Sequence, residues 1–254
     1  MLMDNSNILK SFYIKDELNP KVWDSPDNPD KAKIKEVIRK RLLEIADEFV
    51  EFLDIPIFVL DVTLTGSLSN YNWSSYSDFD LHILYDYNEA GAKKSLLSDL
   101  FGLKKTYFNS THDITIRGYE VELYVQDINE PHESTGVYSL MFDKWIKEPS
   151  DDIDINIDKT IVLEKSQQWM DIIDNLIEEL NDDDTEYEEG QEKISKLKDK
   201  IKKFRSSGLE RGGEYSYENL VFKFLRRSGY IEKLYSFADE FMDKKLSLEN
   251  KEIS

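Results

Sequence analysis

The chain has 254 residues, a formal net charge of −19 and no cysteine, which excludes a disulfide framework and any thiolate metal site. It is long enough for one large domain or two small ones with a sizeable core. No apolar run reaches membrane-span length and the opening MLMDNSNILK lacks a signal-peptide core, so the expectation is a soluble cytoplasmic protein without a membrane partner.

Residues 1 to 29 mix Phe12, Tyr13 and Trp23 with Pro20, Pro26 and Pro29, a composition that predicts an irregular arm docked on the core through Trp23. From Asp30 to Leu53 the residues Ile34, Val37, Ile38, Leu42, Ile45, Phe49 and Phe52 recur at helical spacing, predicting a helix that packs on a sheet. Pro56 ends it. The run Ile57 to Leu64 (IFVLDVTL) is apolar and β-branched, and predicts a buried strand ending at Thr65-Gly66-Ser67. Gly66 lets backbone approach a phosphate closely, and Ser67 offers a hydroxyl and an N–H as donors.

Ser69 to Ser77 (SNYNWSSYS) predicts a short helix or loop whose Tyr71, Trp73 and Tyr76 pack on neighbours, with one ring near a bound ligand as the alternative. Next comes Ser77-Asp78-Phe79-Asp80-Leu81. Strand alternation puts Asp78 and Asp80 on one face and Phe79, Leu81 and Ile83 in the core. Two adjacent carboxylates repel unless a cation lies between them, and oxygen-seeking Mg²⁺ suits the pair. His82 shares their face and is expected to be a hydrogen-bonded neighbour rather than a ligand, because no second His stands at ligand spacing. After Asn88 as N-cap, Glu89 to Tyr107 predicts a crossing helix through Leu96, Leu97, Leu100, Phe101 and Leu103. Asp113 to Arg117 and Tyr119 to Gln126 then alternate as two strands of a hairpin turning at Arg117-Gly118. Gly136 to Leu140 reads as a closing strand, with Trp145 as an anchor.

Thr65-Gly66-Ser67 followed after about ten residues by Asp78-Phe79-Asp80 resembles the signature of the DNA polymerase β-like nucleotidyltransferase superfamily. Thr65 departs from it at a position that is hydrophobic in the family. The resemblance covers residues 57 to 126 and implies a third acid on a neighbouring strand, for which Glu122 is the first candidate and Glu120, on the same face, the rival. It also implies an α+β fold: a nucleotidyltransferase-type mixed sheet with flanking helices, here followed by a C-terminal helical region. The implied activity moves a nucleoside monophosphate from a nucleoside triphosphate to an acceptor hydroxyl with release of pyrophosphate. Asp78, Asp80 and Glu122 would bind two Mg²⁺ ions, with Mn²⁺ as an alternative, and Gly66 and Ser67 would hold the phosphates. The excess negative charge favours a small molecule or a protein as acceptor over a long nucleic acid. A non-catalytic binding module or antitoxin-like protein on the same fold is the competing reading. No GxxxxGK[ST] loop supports a kinase or GTPase.

Glu148 to Lys159 (EPSDDIDINIDK) reads as a solvated linker, dividing the chain into a catalytic part, 1–148, and a helical part, 149–254. Four helices are expected beyond it: one through Trp169, Ile172, Ile173, Leu176, Ile177 and Leu180, one through Ile194, Leu197, Ile201 and Phe204, one through Tyr217, Leu220, Val221, Phe224 and Leu225, and one after Gly229. Asn181 to Gly190 is expected as an exposed acidic loop and Ser206 to Glu214 as a glycine-rich one. Lys202 and Lys203 fit a helix C-terminus. Arg211 in the glycine-rich loop, with Lys223 and Arg226 on the next helix as its rivals, is the expected cationic donor to the triphosphate, at least one of the three making that contact.

Overall fold

The computed structural model describes residues 5–131, 134–150, 157–181 and 185–247. In chain order the elements are α1 (Asn5–Lys10), β1 (Trp23–Asp24), β2 (Lys33–Ile34), α2 (Glu36–Leu53), β3 (Asp61–Thr65), β4 (Phe79–Tyr85), α3 (Lys94–Thr111), β5 (Thr115–Ile116), β6 (Tyr119–Asp127), β7 (Val137–Ser139) and β8 (Lys144–Lys147). Four helices follow: α4 (Lys159–Leu180), α5 (Tyr187–Gly212), α6 (Tyr217–Arg227) and α7 (Tyr230–Leu246). The chain divides into two compact units, Ser11–Ile153 and Asp154–Ser254, the latter joined by Met1–Lys10. The architecture is α+β, a mixed sheet with flanking helices and a C-terminal helical region.

The first unit is built on a sheet of order β5-β6-β4-β3-β7-β8. β4 and β6 run parallel, and the other neighbours are antiparallel. A parallel pair needs a crossover, and α3 supplies it. Leu64, Leu81, Ile83 and Leu123 are fully buried on the central strands. Across them α2 lays Ile38, Leu42, Ile45, Phe49 and Leu53, three or four residues apart, and α3 lays Leu97, Phe101 and Phe108.

Several boundaries differ from the sequence reading. α2 starts at Glu36 rather than Asp30, because Trp23 and Asp24 pair with Ile34 and Lys33 and commit those residues to a ribbon. β3 begins at Asp61, and Ile57 to Leu60 lie outside it. Its partner β4 ends at Tyr85, after which Asp86 caps a 3₁₀ turn, so among the described residues those from Ile57 to Val59 have no ladder partner. α3 starts at Lys94 and ends at Thr111, and Asn88 caps nothing: it sits inside the 3₁₀ turn and donates to Asp86 Oδ1. Leu96 and Leu103, expected on the packed face of that helix, are exposed. The β5–β6 turn has both Arg117 (φ 55°) and Gly118 (φ 86°) in the left-handed region, as tight two-residue hairpins require.

From Ser11 on the arm is docked as expected, whereas Asn5–Lys10 is helical rather than irregular and groups with the helical unit. Trp23 stacks on Trp145 at 4.6 Å, meets Tyr138 edge-on at 5.0 Å, and donates its indole N–H to Leu68 O at 2.8 Å. Tyr71 is buried, and Trp73 donates to Glu17 O. Tyr71 and Trp73 therefore serve packing.

In the second unit, α4 buries Val162, Trp169, Met170, Ile173 and Leu180, and α6 buries Leu220, Val221, Phe224 and Leu225. The expected glycine-rich loop is not a loop, since α5 continues through it to Gly212. Gly208 is there for close packing: a Cβ would sit 2.5 Å from Glu218 Cβ. Residues 182–184 of the expected acidic loop lie outside the described residues, and Glu188 and Glu189 form the first turn of α5, where carboxylates complement the helix dipole.

Candidate active site

Three strand ends build the site. β3 runs out into Gly66, β4 begins at Phe79 immediately after Asp78, and β6 carries Glu122. Antiparallel register sets Thr65 opposite Asp80, and parallel register sets Asp80 beside Glu122. Asp78, Asp80 and Glu122 are half-buried, and each offers a carboxylate oxygen within 4.8 Å of the other two. Glu120 is not part of this cluster among the described residues. Strand alternation aims Phe79, Leu81 and Ile83 inward, and all three are fully buried.

Gly66 makes the approach sterically feasible. It sits at φ 71°, ψ −161°, a region open essentially to glycine alone. A Cβ there would lie 1.8 Å from Asp80 Oδ2, so the carboxylate occupies the space a side chain would fill. Around this turn, Asn70 Nδ2 and Ser69 Oγ both donate to Gly66 O, at 2.5 and 3.0 Å. Ser67 Oγ donates to Ser77 Oγ at 2.7 Å, and Ser77 Oγ accepts from the Ser74 N–H. That pins the residue before Asp78 to the turn after β3. Gly66→Ala is expected to destabilise the fold by roughly 1–3 kcal/mol and to displace Asp80. Thermal unfolding and Mn²⁺ titration together check both effects.

A donor set of three carboxylates fits a hard, oxygen-seeking divalent cation such as Mg²⁺. It does not resemble the His or Cys sets of zinc sites. His82, as expected, is a neighbour rather than a member: its Nδ1 donates to Gln126 Oε1 at 2.7 Å.

Two groups escaped the sequence reading. Tyr124, two residues beyond Glu122, donates its hydroxyl to Glu122 Oε2 at 2.5 Å. Burial, and then that hydrogen bond, raise its phenol well above the usual range, so it stays a donor. Lys105, on α3, has its Nζ 3.4 Å from the Tyr124 ring centroid. Burial lowers its pKa, while the charges of Glu122 and Asp80 oppose that shift. Alternation along β6 could have found Tyr124. Nothing in the spacing of α3 marks Lys105. Beside Glu122 opens a pocket of about 310 Å³, whose lining includes Asn109, His112, Asp113 and Glu120.

The cations expected to meet a triphosphate lie in the helical unit. Arg211 is on α5, where its guanidinium donates to Ser207 O and Oγ and lies 3.6 Å from Glu218. Lys223, on α6, pairs with Glu214 at 2.5 Å, and Arg226 is in the last turn of the same helix.

No family model matches the chain, and no curated protein matches it. Among solved structures, a STING-associated CdnE c-di-GMP synthase from Capnocytophaga granulosa is similar at 15% identity, over 84% of this chain and 83% of that one, with a TM-score of 0.22.

Proposed function

We propose that this chain is a divalent-metal-dependent nucleotidyltransferase, moving a nucleoside monophosphate from a nucleoside triphosphate to an acceptor hydroxyl. The observation that carries the reading is the convergence of Asp78, Asp80 and Glu122 beside a Gly66 that has no room for a side chain, in a chain whose Gly-Ser and Asp-x-Asp spacing already resembles that superfamily. The acceptor oxygen forms a bond to the α-phosphorus as the bond to pyrophosphate breaks. Such displacements are catalysed mainly by positioning and charge neutralisation.

Asp78, Asp80 and Glu122 would hold two Mg²⁺ ions, or Mn²⁺ in their place, and the ions when bound would neutralise triphosphate charge and acidify the acceptor hydroxyl. Asp78 and Asp80 would supply ligands to the ions. Glu122 would hold the catalytic ion and help to take the acceptor's proton. Gly66 would permit close backbone approach to the terminal phosphates, and Ser67 would donate its hydroxyl to them on turning it from Ser77 Oγ. Lys105 adds positive charge on the same side as Glu122 and Asp80.

Nucleotide contact by Arg211, Lys223 or Arg226 is an additional proposal, supported if any of the three alanine variants binds triphosphate more weakly than Lys202→Ala. The net charge of −19 favours a small-molecule or protein acceptor. The class of acceptor is tested by incubating the protein with labelled triphosphates, Mg²⁺ and cell extract. A labelled small molecule or polypeptide is expected, and labelled RNA alone would overturn that preference.

A further inference from the structure

A column of polar side chains continues from the triad along the same face of the sheet. Parallel register sets Asp80 beside Glu122, His82 beside Tyr124 and Leu84 beside Gln126. On β6, Glu122, Tyr124 and Gln126 share a face because strand side chains repeat every two residues. The Tyr124 hydroxyl donates to Glu122 Oε2. Its ring is fixed independently: His82 packs nearly parallel to it at 5.0 Å and 17°, Gln126 holds the imidazole through Nδ1, and Lys105 Nζ lies over the ring. A half-buried glutamate with three side-chain torsions has many rotamers, and this donor selects those that keep Oε2 on the tyrosine.

We infer that Tyr124 is the positioning residue of the metal centre: it holds Glu122 by one carboxylate oxygen and leaves the other for the cation shared with Asp78 and Asp80. The inference rests on the metal-centre reading above. A carboxylate that ligates a metal is commonly oriented by a partner of this kind, and losing the partner weakens metal affinity. Tyr124→Phe keeps the ring, its contact with His82 and its cation–π contact, and removes only the donor.

The test is Mn²⁺ affinity, measured from the electron paramagnetic resonance signal of the free ion. It is compared across wild type, Tyr124→Phe, Glu122→Ala, their double variant and Asp78→Asn, with thermal unfolding of each. Tyr124→Phe is expected to weaken Mn²⁺ binding by roughly 10-fold with little change in unfolding midpoint. In the Glu122→Ala background the same substitution should change affinity by less than about twofold, since no carboxylate is left to orient. If Tyr124→Phe binds Mn²⁺ as tightly as wild type while Asp78→Asn does not, the inference falls and the metal reading stands. If its effect persists without Glu122, Tyr124 does not act through that residue and the inference falls. If wild type and Asp78→Asn bind Mn²⁺ equally, the ligand set is wrong and both readings fall.

Discussion

Asp78→Asn or Asp80→Asn is expected to lower nucleotidyl transfer by roughly two to three orders of magnitude, the usual consequence of losing a principal electrostatic stabiliser. Both variants are expected to remain folded and, without metal, to be as stable as wild type or slightly more so. The reason lies in the geometry. Three carboxylates converge within 4.8 Å, and without a cation their mutual repulsion is relieved only in part by Lys105. An amide keeps the shape and removes one of the repelling charges. Steady-state rates and melting curves of the purified variants, in EDTA and in Mg²⁺, check both halves of this result. Near-native transfer by either variant would remove that residue from the catalytic set.

Glu122→Gln is expected to abolish measurable transfer and leave triphosphate binding in place, whereas Glu120→Gln is expected only to weaken transfer. Both residues lie on the same face of β6, but their neighbours differ. Glu122 is beside Asp80 across the parallel β4–β6 ladder, while Glu120 pairs with Thr115 on β5. Of the two, Glu122 reaches the Asp pair, and in the proposed mechanism its loss would remove a ligand and a proton acceptor together. Glu120 lines the adjoining pocket, where its charge acts at longer range. Single-turnover rates and nucleotide affinities for the two variants decide the matter, and the reverse ranking would reassign the third carboxylate.

The parts of this site that were legible in the sequence obey local rules. Alternation put Asp78 and Asp80 on one face and Phe79, Leu81 and Ile83 in the core, because a strand's side-chain period is fixed by its pleat. The composition of the arm marked Trp23 as an anchor, and it is buried against Trp145. Which glutamate meets the aspartates was not local information, since it depends on the parallel register of β4 and β6. Lys105 was invisible for the same reason: it reaches the site from a crossover helix separated from Asp80 by a turn and a cap. The segment after Phe204 misled for a different reason. Glycines at 208, 212 and 213 look like a loop, yet Gly208 lies within α5 and is buried against Glu218. A glycine chosen for close packing and one chosen for backbone freedom look alike in sequence.

The most direct test of the metal-dependent transfer reading follows the two ends of the triphosphate separately. Purified protein is incubated with an acceptor-containing extract and Mg²⁺ or Mn²⁺, once with each nucleoside triphosphate labelled at the α-phosphate and once with it labelled at the γ-phosphate. The α-label is expected to pass to an acceptor while the γ-label leaves as pyrophosphate, with both events lost in EDTA and in Asp78→Asn. Transfer of the γ-label to an acceptor, its release as orthophosphate, or no consumption of any triphosphate in either metal would contradict the account.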